Sequence, residues 1–199
     1  MDKFPVIALV SSTGGLDALT RVLAPLPADL PAAVLALQHS EPQRVSKLAE
    51  ILDQRTALPV TAAVDGEALR PGHVLVAPAG RHTLITGDMT IALIMSGSLP
   101  PHRPSADLLL TTLAVAAGPR AIAVVLSGRG NDAATGATAV HRFGGTVIAC
   151  SPGSSAEPAM PQATIGRDHT IDHITDLDDL AALLTALTIT PSLPAPTRD

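Results

Sequence analysis

Val6-Ile7-Ala8-Leu9-Val10-Ser11-Ser12-Thr13-Gly14-Gly15 is the stretch that decides the fold. An unbroken apolar run of this length reads as a strand buried on both faces, the form strands take in parallel sheets. It breaks into hydroxyls and glycines, and Leu16 to Leu26 then carries apolar residues at helical spacing. Strand, polar turn and helix in that order begin a βαβ unit.

The same rhythm continues outward from that first unit. Val34 to Leu37 is the next buried strand, and after a Pro42 turn a helix is predicted over about Gln43 to Arg55. Val60 to Ala63 and Val74 to Ala77 are strands bounded by Asp65-Gly66 and Pro71-Gly72 turns. Thr83 to Thr86 and Thr90 to Ile94 flank Gly87-Asp88, a hairpin signal because both residues tolerate positive φ. Ser105 is placed to cap a helix over Ala106 to Ala117, stopped by Gly118-Pro119. Ala121 to Leu126 is a strand, a helix follows over about Asp132 to Phe143, and Thr146 to Ala149 is a further strand. The spacing of Ile171 and Ile174 suggests another, and Leu177 to Leu187 is a last amphipathic helix. These signals predict an α/β fold: a doubly wound, mainly parallel sheet with one antiparallel hairpin, in a Rossmann-like three-layer architecture. One domain is expected over residues 1–188, followed by a Pro-rich, disordered tail over 189–199.

Composition narrows the function. The chain has 199 residues with 46% hydrophobic, 16% charged and 1% aromatic residues, which suits one packed core and argues against wholesale disorder. Phe4 and Phe143 are its only aromatic residues, too few for a module that stacks bases. A net charge of -5 also disfavours binding to a phosphate backbone, so no nucleic-acid partner is expected. Cys150 is the lone cysteine and reads as a small buried residue at a strand end. The chain contains no apolar run long enough for a membrane span and begins without a signal-peptide pattern, so a cytoplasmic protein without membrane insertion is expected. His73, His82, His102 and His141 lack metal-ligand spacing. His169 and His173 stand four apart without a neighbouring Glu, so neither a metal nor a cofactor is expected.

In an open parallel sheet the ligand sits beyond the carboxyl ends of the strands. Polar or glycine-rich chemistry falls at three such ends: Ser11 to Gly15, Gln38 to Ser40, and Gly128 to Asp132. The first could be a plain capped helix, an anion cradle, or a nucleophilic serine on a sharp turn. It lacks the P-loop and dinucleotide fingerprints, which weighs against an anion- or nucleotide-binding protein. His39 is a candidate base beyond a buried strand. Asp132 is a carboxylate that could orient the imidazole, or simply cap a helix together with Asn131. Gly128, Gly130 and the amides between them could present donors to an oxyanion.

Ser12-Thr13-Gly14-Gly15, Gln38-His39 and Gly128-Arg129-Gly130-Asn131-Asp132 together resemble the three signature strand ends of the CheB family, the chemotaxis receptor glutamate methylesterases that also deamidate receptor glutamines. Asp65-Gly66-Glu67, Pro71-Gly72-His73, Ala77-Pro78, His102-Arg103-Pro104-Ser105 with Asp107, and Met160-Pro161 match in family order across about Val6 to Leu187. The resemblance implies Ser12 as nucleophile, His39 as general base and then acid, and Asp132 as its orienter. It also implies loop support from Thr13 and an oxyanion donor in the backbone N–H of Arg129. The implied partner is the cytoplasmic helical region of a methyl-accepting receptor, with attack giving an acyl-serine and methanol.

The match departs at pocket positions. Val10 stands where the family usually has Gly, Ser40 and Arg129 where it has Met, and Cys150-Ser151 where it has Gln-Asn or Gln-Asp. A β-branched Val10 would restrict the turn if close backbone approach were needed there. The Arg129 guanidinium either favours an anionic substrate or points to solvent with only its amide functional. Full-length members commonly carry an N-terminal receiver domain, and with the first strand starting near Met1 none is expected in this chain. The rival reading is a catalytically weak homologue acting as an adaptor that binds a receptor or signalling partner.

Overall fold

The structure is a computed structural model that describes residues 4–41, 46–95 and 104–189. Its centre is a parallel sheet of β1 (Val6–Ser11), β2 (Ala33–Gln38), β3 (Val60–Ala62), β4 (Val74–Val76), β7 (Ala121–Val125), β8 (Thr146–Cys150) and β9 (His173–Thr175). The strands lie side by side in the order β3-β4-β2-β1-β7-β8-β9. A separate antiparallel hairpin is made by β5 (Arg81–Ile85) and β6 (Ile91–Met95). The expected doubly wound sheet with one hairpin is therefore what forms.

The helices are α1 (Gly15–Leu23), α2 (Leu48–Asp53), α3 (Ala106–Ala117), α4 (Ala134–Arg142), α5 (Ala159–Ile165) and α6 (Leu180–Ile189). Successive side chains of a strand point to opposite faces, so the apolar β1 feeds two cores. Ile7 and Leu9 pack with Leu19 and Val22 of α1, Leu52 of α2 and Leu184 of α6. Val6, Ala8 and Val10 pack with Leu109 and Leu113 of α3, Val140 of α4, and Ile85 and Ile91 of the hairpin. This double burial explains why the run shows no polar alternation. Val10 lies within the regular ladder, paired with Leu37 and Val125, so its branched side chain fills the core and restricts no turn.

Several boundaries differ from the sequence expectations. α1 ends at Leu23, short of Leu26, because Pro25 and Pro27 cannot continue a helix. α2 begins only at Leu48, where the Ser46 hydroxyl accepts the Leu48 amide at 3.3 Å. The Pro42 turn and the start proposed at Gln43 lie outside the described residues. So do His102, Arg103 and the C-terminal tail from residue 190. α5 was not anticipated: Ala-Met-Pro-Gln-Ala-Thr-Ile is too short for a periodic signal and holds a proline in its first turn. The last helix is preceded by a 3-10 turn over Leu177–Asp179. α4 starts two residues later than expected, for a reason that bears on the site.

Candidate active site

β1 occupies the switch point of the sheet, with β2 on one side and β7 on the other. The loops leaving these three strands share one edge, the place where a doubly wound sheet holds its ligands. Ser12, His39 and Asp132 come from these loops.

The serine loop is fixed by backbone contacts. The Ser12 amide donates to the Ser127 carbonyl at 2.8 Å, and the Gly15 amide donates back to the Ser12 carbonyl at 2.9 Å. Gly14 has φ 79, a left-handed conformation that glycine takes without strain, and it lets the strand turn sharply into α1. A Cβ at Gly14 would stand 2.7 Å from the Ser127 hydroxyl, and one at Gly128 would stand 2.7 Å from the Ser12 Cβ. The loops after β1 and β7 are therefore pressed together, with the small Ser12 and Ser127 side chains filling the space that a Cβ at either glycine would need. Thr13 is exposed, and its carbonyl accepts the Ser127 hydroxyl at 2.8 Å. Ser127 Oγ also accepts the Glu157 amide at 2.9 Å, tying in the loop before α5. Sequence reasoning gave Ser127 no role, although it immediately precedes the Gly128–Asp132 segment singled out there.

His39 is set beside this loop by the β1–β2 register. Ser11 pairs with Gln38, and the His39 amide donates to the Ser11 carbonyl at 3.0 Å. Its side chain is 8% exposed, and Nε2 lies 2.8 Å from Asp132 Oδ2. The structure thus joins His39 directly to Asp132 and places Ser12 at the adjoining strand end.

Asp132 is 7% exposed, and water contributes little to its solvation. Protein donors replace water: the Ala106 amide at 2.7 Å, the Asp107 amide at 2.9 Å and the Ser105 hydroxyl at 3.2 Å. Burial pushes its carboxyl up, but the bonds from His39 and from the Asp107 and Ala106 amides outweigh that, and the net direction is down. Asp132 therefore stays ionised opposite the imidazole. It also caps a helix, though not its own: the amides it accepts belong to the first turn of α3. Ser105 supplies the expected N-cap there too, accepting the Leu108 amide. His82, which has no metal-ligand spacing, accepts the Ser105 amide on Nδ1 at 3.0 Å and ties the hairpin to the same helix start.

Of the altered pocket positions, Cys150 is fully buried at the end of β8, as expected. Ser40 lines a cavity of about 470 Å³ with Gln38, Leu16, Lys47 and Ile51. The Arg129 side chain is 72% exposed and pairs with Glu157 at 2.8 Å.

The model of the CheB methylesterase family matches residues 7–184. The chain belongs to that family. A CheB-family relative from Moorella thermoacetica, called protein-glutamate methylesterase/protein-glutamine glutaminase, is 39% identical over 92% of this chain and 44% of its own length. A protein of the same description from Myxococcus xanthus is 38% identical over 91% of this chain and 51% of its own. This chain therefore spans about half the length of those relatives. The crystal structure of the Thermotoga maritima CheB methylesterase catalytic domain matches with a TM-score of 0.88 at 31% identity, over 94% of this chain and all of that one. No described helix is long and apolar enough to cross a membrane.

Proposed function

We propose that this domain is a serine-dependent protein-glutamate methylesterase, acting in the cytoplasm on methyl-esterified glutamates in the helical part of a chemotaxis receptor. The observation that carries the reading is the buried His39–Asp132 pair, 2.8 Å apart at the strand end next to Ser12, in a chain of this family. Nε2 is bonded to Asp132, so Nδ1 is the nitrogen that takes the serine proton as Oγ attacks the ester carbonyl. The imidazolium formed is stabilised by the Asp132 carboxylate. It returns the proton to the departing methoxide, which leaves as methanol. His39 then deprotonates water, which attacks the acyl-serine; the glutamate carboxylate leaves and the Ser12 hydroxyl is restored. A glutamine side chain follows the same path with ammonia as leaving group.

The negative charge of the tetrahedral intermediate falls at the Ser12–Gly128 junction. The amides of Ser12 and Gly128 are committed to the carbonyls of Ser127 and Glu157. The donors we assign to the oxyanion are the next amides along the two loops, those of Thr13 and Arg129. Tyr and Trp do not occur in this sequence, so the chemistry rests on the triad and backbone amides.

Methanol release from a methyl-esterified receptor tests the reading. Ser12→Ala is expected to lose turnover by about 10⁶-fold, as loss of the serine from such a unit does. A wild-type protein that binds the receptor but releases no methanol would overturn it in favour of an adaptor.

A further inference from the structure

Behind His39 two carboxylates and two helix starts are interlocked. Asp132 precedes α4 but accepts the first amides of α3. Asp107, in the first turn of α3, does the reverse: its Oδ1 accepts the Ala133 amide at 3.1 Å and the Gly136 amide at 2.7 Å. No side chain at the α4 N-cap bonds to that helix itself. The two helices also touch backbone to backbone, since a Cβ at Gly136 would stand 2.9 Å from the Asp107 carbonyl oxygen. That contact keeps Asp107 within reach of both amides.

The amide of Ala133 belongs to the peptide that joins it to Asp132. Ala133 has φ 104, a conformation alanine holds only when its surroundings impose it. It is fully buried, and it delays the start of α4 by turning the chain so that Asp132 faces α3. The Asp107 bond falls on the peptide that sets this direction. We propose that Asp107 is a positioning residue for the esterase, gripping the Asp132–Ala133 peptide so that the Asp132 carboxylate stays on His39 Nε2. The inference rests on the esterase reading, and it gives Asp107 no contact with substrate.

The test compares Asp107→Ala and Asp107→Asn with the parent, alone and in an Asp132→Asn background. Four quantities are read: kcat and KM for methanol release, the downfield imidazole N–H resonance of His39, and the melting temperature. Asp107→Ala is expected to lower kcat by about a hundredfold with KM unchanged, because a small misplacement of a catalytic group has that effect. The downfield resonance is expected to disappear with it. Asp107→Asn keeps an oxygen for both amides and is expected to hold kcat within about threefold. In the Asp132→Asn background the Ala change is expected to cost no more than about twofold, since residues that act as a unit are not additive. Leu113→Ala, within the same helix core, is expected to lower the melting temperature without that loss of kcat. Should Asp107→Ala fail to fold, Asp107→Ser, with a shorter acceptor, is read in the same way.

Parent-like kcat and resonance in the Ala variant, or losses that multiply in the double variant, would overturn the inference. If the parent itself releases no methanol, the esterase reading fails and the resonance still decides the contact. Its retention in Asp107→Ala overturns the positioning role, and its loss there but not in Asp107→Asn supports it.

Discussion

The loops that deliver Ser12 and Asp132 lie on the same edge of the sheet and are held by opposite means. The serine loop is held by close approach: Gly14 and Gly128 omit side chains so that backbone meets backbone across Ser12 and Ser127. The aspartate loop is held by side-chain charge, with Asp132 and Asp107 each accepting amides from the other's helix. A loop of the first kind is broken by adding an atom, and one of the second kind by removing the Asp132 charge or the Asp107 acceptor. The position of Ser12 is thus set by what is missing from the chain, and the orientation of His39 by what is present.

The sharpest way to break the second kind is Asp132→Asn. It keeps the shape but offers the imidazole the wrong partner, and turnover is expected to fall by about 10⁴-fold in methanol-release assays. The same variant reports on stability. The Asp132 carboxyl is held below the ordinary range, so its contribution is complete above its unfolded value of about 3.9 and is lost as pH falls through the lower folded value. The stability gap between parent and Asp132→Asn, followed by urea unfolding, is therefore expected to shrink below about pH 4. A gap that stayed constant into strong acid would show that the ionised carboxylate is not what holds the two helix starts.

Gly128→Ala breaks the first kind. Its Cβ would stand 2.7 Å from both the Met160 sulfur and the Ser12 Cβ, so the serine loop has to move. Turnover is expected to drop by about a hundredfold and stability by about 1–3 kcal/mol, with the His39–Asp132 contact retained by nuclear magnetic resonance. Loss of that contact as well would mean that the two loops are not independently held.

The smallest effect belongs to the rim that both loops leave to solvent. Arg129→Met removes an exposed ion pair with Glu157, and rates on anionic and neutral model esters are expected to stay within about twofold of the parent. A selective fall for the anionic ester would show that the guanidinium reaches the substrate.

The residues of the two loops were not equally legible. Ser12, His39 and Asp132 stand at the ends of apolar runs, and a parallel sheet brings such ends to one edge. Their convergence could be read from pattern alone. The hairpin and α3 were legible for a similar reason, because Gly87-Asp88, Ser105 and Gly118-Pro119 act through their immediate neighbours. α5 was not, because a seven-residue helix with a proline in its first turn carries too little periodicity. Asp132 was legible as either a helix cap or an imidazole partner. The structure makes it both, for a helix whose first residue lies 26 positions earlier in the chain.

By itself the sequence determined the sheet, the hairpin, the helices that have local start and stop signals, and the strand ends where chemistry gathers. Each of these follows from burial or backbone preference within a few neighbouring residues. Only the tertiary structure decided how the aspartate is aimed. That depends on α3 and α4 approaching at Gly136, on Ala133 being held at positive φ, and on Asp107 reaching across between them. Hydrogen bonds between residues distant in the chain leave no periodicity in the sequence, and they exist only once the two helices are packed.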